Sequence, residues 1–134
     1  MTCRDLQPVD RLRPMSSIVI LEEDDLMRGL LTEWLTGAGY AVRERGLRAA
    51  PAGEGADLVI VDLYMPRQAG ADIVLAAQQA YPGAPVIAMS AQFRPGLECS
   101  AGAAHALGVD KLVCKPFARE DLLGAVRALI GPAP

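Results

Sequence analysis

The sequence predicts an α/β protein in which helices cover both faces of a parallel sheet. Short apolar runs rich in β-branched residues recur along the chain, and stretches with helical periodicity separate them. Uninterrupted apolar runs are typical of strands that are buried on both faces of a parallel sheet. Strands that alternate with helices favour a doubly wound sheet with right-handed crossovers. The length of 134 residues fits one domain of this class.

The first half of the chain contains three predicted strands and one amphipathic helix. Residues 1–15 mix charge and proline without periodicity, and we expect them to form a flexible extension before a domain at 16–131. The helix has apolar residues at helical spacing, acids that can cap its start and glycines that can end it. In chain order, the predicted elements are a strand at 18–21, a helix at 26–37, a short strand at 40–44 and a central strand at 57–61.

The second half continues the same alternation, with glycine and proline marking the turns. The predicted elements are a helix at 70–80, a strand at 85–89, a helix of small residues at 98–107, a strand at 111–114, a helix at 119–130 and a tail at 132–134. Segment 46–56 contains Pro51 and three glycines, a composition that supports one helical turn at most. We therefore expect the second helix of the fold to be shortened.

Composition excludes several classes of function. The net charge of −3 argues against a nucleic-acid-binding surface, which is usually basic. The chain has no apolar run near the roughly 18 residues of a membrane span, and its N-terminus has no signal-peptide core. The three cysteines lack metal-site spacing, so we expect reduced thiols and a cytoplasmic location. The single histidine, His105, cannot form a metal or catalytic cluster alone.

Polar side chains stand at the ends of four predicted strands. Glu22 and Glu23 follow the first strand, Asp62 follows the third, Ser90 the fourth and Lys115 the fifth. In an open parallel sheet, ligands bind just outside the carboxyl ends of the strands, which is where these residues would meet. A lone aspartate at a strand end is commonly only a loop cap. Polar ends on four strands at one edge indicate a functional site instead.

The residue types at this edge indicate phosphoryl chemistry. Carboxylates that lie close together repel one another, and Mg²⁺, which prefers oxygen ligands, is the cation that suits them. A hydroxyl and an ammonium opposite the acids would hold the oxygens of a phosphoryl group, whose transfer needs positioning and charge neutralisation. The sequence therefore predicts transfer of a phosphoryl group to the Asp62 carboxylate.

Residues 17–130 resemble the receiver domains of two-component response regulators. The motifs that carry the resemblance are Ile18–Asp24, Asp57–Pro66 followed by Gly70, Pro85–Ala91 and Val113–Phe117. The resemblance implies a flavodoxin-like fold with a parallel sheet in the strand order 2-1-3-4-5. It also implies a signalling domain rather than an enzyme with a separate substrate. The phosphoryl donor would be a histidine kinase or a histidine phosphotransfer protein.

The resemblance gives roles to the residues at the strand ends. Asp62 matches the phosphoacceptor, Ser90 the switch hydroxyl that follows the phosphoryl group, and Lys115 its ion-pairing partner. Ala91 directly follows the switch hydroxyl. The peptide bond before Pro116 resembles one that is cis in the family, which proline makes accessible.

The resemblance also implies a Mg²⁺ site, and one of its residues departs from the family pattern. The ligands would be Glu23, Asp62 and the backbone carbonyl of Tyr64, with Glu22 beside them. The family usually has aspartate where this chain has Glu23. The extra methylene displaces the carboxylate by about 1.5 Å, one C–C bond. Because Mg²⁺ demands near-ideal octahedral geometry, we expect weakened affinity or binding through a water molecule.

Two further departures concern the switch and one face of the sheet. Leu112 stands where the family usually has an aromatic residue that swings inward on activation, and a leucine that simply packs is the plainer interpretation. The shortened segment 46–56 would cover less of one face of the sheet near the first strand. It either changes the choice of partner or marks a tolerated deletion in a surface connection.

Two interpretations remain open. A stand-alone receiver would signal through a surface at residues 98–130 to another protein or through a homodimer, or would pass the phosphoryl group on. The chain ends soon after its last predicted helix, so we expect no attached output domain. A degenerate receiver would instead be an unphosphorylated interaction module, which Glu23 and Leu112 favour and the intact Asp62, Ser90 and Lys115 oppose.

Other phosphate-binding proteins of this fold class fit the sequence less well. A small flavoprotein needs a phosphate-binding loop after the first strand, where this chain has four consecutive acids at 22–25 that would repel a phosphate. A nucleotide hydrolase would need a P-loop, which the sequence lacks.

Overall fold

The computed structural model describes residues 16–22, 24–45, 55–63, 67–90, 104–105, 107–114 and 117–132, without the side chains of 67–71. The strands are β1 (Ser17–Leu21), β2 (Ala41–Arg45), β3 (Leu58–Asp62), β4 (Val86–Ser90) and β5 (Lys111–Cys114). The helices are α1 (Asp25–Gly37), α2 (Arg67–Ala80) and α3 (Arg119–Ile130). The strands form one parallel sheet in the order β2-β1-β3-β4-β5. The predicted fold class and strand order are confirmed.

The first helix begins one residue earlier than the sequence predicts. Asp24 is its N-cap, with extended backbone angles, and its Oδ1 accepts a hydrogen bond from the backbone N–H of Leu26 at 3.3 Å. Such a cap satisfies a donor that the first turn of a helix leaves without an intrahelical partner. At the other end, Gly39 has a φ of 102°, a left-handed conformation that glycine adopts without strain.

Two predicted helices fall largely outside the described residues. Segment 46–54 is outside them, so the shortened second helix stays a prediction. In the predicted helix at 98–107, Ala104, His105 and Leu107 have helical backbone. None of the helices in the described part of the chain is long and apolar enough to cross a lipid bilayer.

The sheet separates the core into two layers. Successive side chains of a strand point to opposite faces, so the even-numbered residues of β1 and β3 face α1 and α3, and the odd-numbered residues face α2. The first layer contains side chains of the strands and of helices α1 and α3, among them Ile18, Ile20, Leu58, Ile60, Met89, Leu31, Leu35, Leu122 and Val126. The second contains Val19, Leu21, Val59, Val61, Ala88, Val74 and Ala77. Burial of both faces fixes the register, because a slip of one residue would exchange the layers.

At the amino edge of the sheet, two aspartates accept hydrogen bonds from neighbouring strands. Asp57 Oδ2 accepts from the backbone N–H of Ser17 at 2.7 Å, and Asp110 Oδ2 accepts from that of Val86 at 2.8 Å. Each carboxylate thus satisfies the first donor of the strand beside it. These two acids have a structural explanation in the fold.

Removal of side-chain volume from the first layer should destabilise the whole domain. Ile60 is fully buried in the central strand, so Ile60→Ala should lower the free energy of unfolding by about 2–5 kcal/mol. Urea unfolding followed by circular dichroism measures the change. The control is Leu75→Ala on α2, where a side chain that is 52% exposed should change stability by no more than about 0.5 kcal/mol. Equal losses in the two variants would contradict the assignment of the core.

Tyr40 should make the stability of the domain sensitive to alkaline pH. Its hydroxyl donates to the carbonyl of Gly131 at 2.8 Å, and burial raises the pKa of the phenol although Arg127 opposes the shift. A raised pKa in the folded state stabilises the protein below the unfolded pKa of about 10, and this contribution disappears as pH rises through the folded pKa. Tyr40→Phe should cost about 1 kcal/mol near neutral pH through the lost hydrogen bond. Urea unfolding from pH 7 to above pH 10 should show the difference from wild type shrinking; a constant difference would contradict it.

Candidate functional site

Four strands end side by side at the carboxyl edge of the sheet. Leu21 at the end of β1 pairs with Val61, Asp62 pairs with Met89, and Ser90 pairs with Cys114. Neighbouring strands lie about 4.8 Å apart, so the residues at these ends surround one small region. The predicted meeting of the strand ends is therefore observed for β1, β3, β4 and β5.

Glu22 and Asp62 are adjacent carboxylates on the same face of the sheet. Both continue the even-numbered rows that face α1 and α3, and Glu22 follows the register pair Leu21–Val61 just as Asp62 does. Their exposed fractions are only 1% and 4%. Glu22 Oε2 accepts a hydrogen bond from the backbone N–H of Asp24 at 3.0 Å. A buried carboxylate at the end of β1 thus lies beside the candidate phosphoacceptor and accepts a hydrogen bond from the residue that caps α1.

Ser90 completes the described part of the site from the neighbouring strand. It is 4% exposed and lies one residue beyond Met89, the register partner of Asp62. The backbone N–H of Leu63 donates to the carbonyl of Met89 at 2.7 Å, so the chain leaving Asp62 stays attached to β4. The backbone of Ser90 is consequently about one strand spacing and one residue from that of Asp62.

Five of the predicted site residues lie outside the described residues: Glu23, Tyr64, Ala91, Lys115 and Pro116. Chain connectivity alone relates them to the site. Glu23 directly follows Glu22, Ala91 follows Ser90, and Lys115 follows the last residue of β5. The structure places Glu22, Asp62 and Ser90 at neighbouring strand ends, and the roles of all eight residues stay predictions.

The described residues supply part of a donor set that suits Mg²⁺. Glu22 and Asp62 contribute carboxylate oxygens, the hard ligands that Mg²⁺ prefers, and they are held nearly out of solvent. Within the described ranges, no group of three or more histidine, cysteine, aspartate or glutamate side chains is placed to hold a metal. The chemistry of these two acids therefore fits the ion, and a complete ligand set would require Glu23 or a backbone carbonyl as well.

Two residues of β5 bear on earlier predictions. Leu112 is half-buried and packs against the second layer of the core, as the plainer interpretation of that position proposed. Cys114 is disulfide-bonded, so the prediction of reduced thiols is wrong for this residue. The other two cysteines, Cys3 and Cys99, lie outside the described residues. Spacing along the sequence gave no sign of the bond, because disulfide partners are set by the fold and not by separation along the chain.

Sequence reasoning missed a cation in the first turn of α1, Arg28, that contacts the acidic residues after β1. Nη1 of Arg28 donates to the carbonyl of Glu22 at 2.9 Å, Nη2 to Oδ1 of Asp25, and Nε lies 3.4 Å from Oε1 of Glu44. Glu44 Oε2 also accepts a hydrogen bond from the Thr32 hydroxyl at 2.6 Å. The spacing of Asp25 and Arg28, three residues apart on a helix, could have indicated their pairing. The contacts with Glu22 and Glu44 depend on the fold and had no local signal.

Comparison with known proteins identifies relatives among bacterial regulators. The chain is 35% identical over 127 residues to the DNA-binding transcriptional regulator NtrC of Bradyrhizobium sp., covering 89% of this chain and 25% of that protein. It is 34% identical over 123 residues to the transcriptional regulatory protein CusR of Escherichia coli, covering 84% of this chain and 50% of that protein. The chain thus spans between a quarter and half of the length of these curated relatives.

Solved structures show the same fold. A CheY-like receiver domain from Methanospirillum hungatei superimposes with a TM-score of 0.67 at 21% identity, over 85% of this chain and 92% of that one. The chemotaxis response regulator CheY4 of Vibrio cholerae gives a TM-score of 0.68 at 24% identity, over 86% of this chain and 98% of that one. The family profile of the response regulator receiver domain matches residues 18–127. The chain therefore belongs to the receiver domain family of two-component response regulators.

Proposed function

We propose that this domain accepts a phosphoryl group on Asp62 from a phosphohistidine of a histidine kinase or a histidine phosphotransfer protein. The observation that carries the proposal is the position of Asp62, a nearly buried carboxylate at the end of the central strand. Asp62 lies beside Glu22 on one side, and on the other side it pairs with Met89, the residue before Ser90. Asp57 and Asp110, at the opposite edge of the sheet, have a structural role instead, since each accepts a hydrogen bond from a neighbouring strand.

The transfer is a displacement at phosphorus. A carboxylate oxygen of Asp62 forms a P–O bond while the P–N bond to the donor imidazole breaks, and the imidazole keeps the bonding electrons and takes up a proton. The fixed strand end holds the attacking oxygen in place, and its burial limits access of water to the acyl phosphate. In this proposal the Ser90 hydroxyl would donate to a phosphoryl oxygen, and Lys115 would supply a compensating charge.

Mg²⁺ would be held by Asp62, Glu23 and the backbone carbonyl of Tyr64, with Glu22 beside them. When bound, it neutralises the charge of the carboxylates and of the phosphoryl oxygens. The longer side chain of Glu23 is the weak point of this set, because Mg²⁺ tolerates little departure from octahedral geometry.

The proposed output is a change in protein contacts at residues 98–130. An acyl phosphate would replace the single negative charge of the Asp62 carboxylate with a phosphate of about −1.5 to −2 and strong acceptor oxygens at the sheet edge, which would bias a two-state surface. The relatives NtrC and CusR are transcriptional regulators, so an output domain in the same polypeptide and a separate output protein are both compatible with this proposal. Homodimerisation and a cytoplasmic location belong to the proposal too. The domain itself acts as a signalling acceptor and not as an enzyme on a separate substrate.

A second candidate is a receiver that binds partners without being phosphorylated. Leu112 favours it, because a leucine packed against the second core layer has no polar tip and little reason to move. Glu23 favours it as well, through the expected loss of metal affinity. Retention of Asp62 and Ser90 in buried positions opposes it.

Intact mass spectrometry after incubation with acetyl phosphate and Mg²⁺ separates the two candidates. Wild-type protein should gain one phosphoryl unit, and Asp62→Asn should gain none because an amide is a poor nucleophile. The matched control is Asp72→Asn, which removes an exposed carboxylate from α2 and should be phosphorylated like wild type. A gain that survives in Asp62→Asn would place the phosphoryl group elsewhere. No gain in wild type with acetyl phosphate or any phosphohistidine donor would support the unphosphorylated module.

Shortening of Glu23 should strengthen the Mg²⁺ site. Glu23→Asp restores the family's usual side-chain length and should lower the dissociation constant for Mg²⁺. The shorter side chain should let the carboxylate bind the ion without distorting its octahedral geometry. Titration of ¹⁵N-labelled protein with MgCl₂, followed through amide chemical shifts, measures the constant. Glu33→Asp on the outer part of α1 is the control for the same change away from the site. Equal affinities of Glu23→Asp and wild type would count against a geometric defect at this position.

A further inference from the structure

Two of the three large hydrophobic side chains that are exposed in the described part of the chain lie on α1, close to the candidate site. Leu26 is 85% exposed and Leu30 is 40% exposed. They are four residues apart, so they stand one above the other on the same face of the helix. Isolated exposed apolar residues are ordinary, but two adjacent leucines in the first two turns of a helix form a patch.

The two leucines begin a ridge that continues into the core. The next residue in the same row is Trp34, which is half-buried and packs edge-on against the ring of Phe117 at a centroid distance of 6.2 Å. Both rings pack against the first core layer, so the far end of the ridge is fixed. Beside the leucines, a Cβ atom added at Gly29 would meet no other described atom within 4 Å. Rows of residues four apart are the ridges that pack into the groove of a second helix.

The ridge starts at the end of α1 that faces the proposed phosphoacceptor. Asp24 caps the helix, and its backbone N–H donates to the carboxylate of Glu22, which lies beside Asp62. Leu26 is two residues beyond the cap, and the side chains of a helix tilt toward its N-terminus. Because Asp62 is nearly buried, a donor protein must bring its phosphohistidine to the strand ends over the surface beside them. The ridge is therefore placed for contact with the protein that delivers the phosphoryl group.

The exposed surface around the leucines is acidic. Asp24, Asp25 and Glu33 are exposed carboxylates of α1 and its cap. The cation in these turns, Arg28, is already engaged by three acceptors of its own chain, and the last turn has no basic residue. A second copy of this chain that used the same face would place acids against acids. A partner whose apolar contacts are flanked by lysine or arginine is complementary to this surface instead.

We propose that Leu26 and Leu30 form the docking ridge for a helix of the phosphohistidine donor, and that basic residues flank the apolar contacts of this helix. The inference rests on the proposed function and deepens it, because it states the chemistry by which the donor is selected. The leucines supply the buried contact, and the acids of α1 supply attraction and discrimination among donors.

The probe is a synthetic helical peptide of about 18 residues, long enough to form a helix, that carries one histidine and two leucines four residues apart. One version has arginines beside the leucines and the matched version has glutamates. Each peptide is phosphorylated on its histidine with phosphoramidate and freed of the reagent. Transfer to the full chain is then followed by intact mass spectrometry. Phosphoramidate alone serves as a reference donor that has no docking surface, so the ratio of the two rates isolates docking.

The variants are Leu26→Gln and Leu30→Gln, with Leu75→Gln as the matched control for an exposed leucine on α2. The ratio of the arginine-peptide rate to the phosphoramidate rate should fall about 10-fold in Leu26→Gln, because burial of a leucine is worth at least one tenfold step. Leu75→Gln should keep the wild-type ratio. Glutamine is a good helix former, and circular dichroism should show helix content and melting temperature close to those of wild type.

Charge is tested with the same assay. Wild type should accept the phosphoryl group about 10-fold faster from the arginine peptide than from the glutamate peptide, and high salt should reduce this preference because the acids are exposed. Glu33→Gln should reduce the preference as well. Asp72→Asn, which removes an exposed acid from α2, should retain it.

A wild-type ratio in Leu26→Gln and Leu30→Gln overturns the docking ridge, as does the absence of transfer from either peptide. Equal rates from the two peptides overturn the charge selection. In all three cases the phosphoacceptor function stands if phosphoramidate phosphorylates wild type on Asp62. Failure of phosphoramidate and of both peptides to phosphorylate wild type overturns the proposed function and this inference together.

Discussion

The parallel pairing of β1 with β3 is the constraint on which the site depends. Leu21 pairs with Val61, and this places Glu22 alongside Asp62 on one face of the sheet. Two like charges held nearly out of water are unfavourable unless a cation or hydrogen-bond donors offset them. The strands tolerate this arrangement because apolar layers on both faces fix the register. A slip that separated the acids would move every core side chain of a strand to the wrong layer.

The two edges of the sheet use the same residue type for different purposes. At the amino edge, Asp57 and Asp110 each accept a hydrogen bond from the first backbone donor of a neighbouring strand, which stabilises the pairing. At the carboxyl edge, Asp62 lies beside Glu22, and both carboxylates are nearly buried. Two acids that are close together and shielded from water repel each other unless other groups offset their charge, and such pairs are typical of functional sites.

The sequence predicted the fold well because its signals were local. Strands buried on both faces appear as continuous apolar runs, and the strand order followed from the resemblance of four motifs. The start of α1 was wrong by one residue, since Asp24 and Asp25 both suit a cap. The contacts of Arg28 with the Glu22 carbonyl and with Glu44 could not have been recognised, because they exist only after α1 packs beside β2. The disulfide of Cys114 was missed for the same reason.

The rigidity of the strand end limits how a phosphoryl group on Asp62 could alter the protein. Residues of β3 and the adjoining strands are packed on both faces, and such interiors do not deform continuously. A charge added at Asp62 would therefore be accommodated at and beyond the strand ends, where the proposed mechanism uses Ser90 and Lys115. Arg28 confines the loop after β1 in the same way, because it connects that loop to β2 and α1. On the proposed mechanism, the side of the site formed by β1 stays fixed and the response is directed toward the chain that follows β4 and β5.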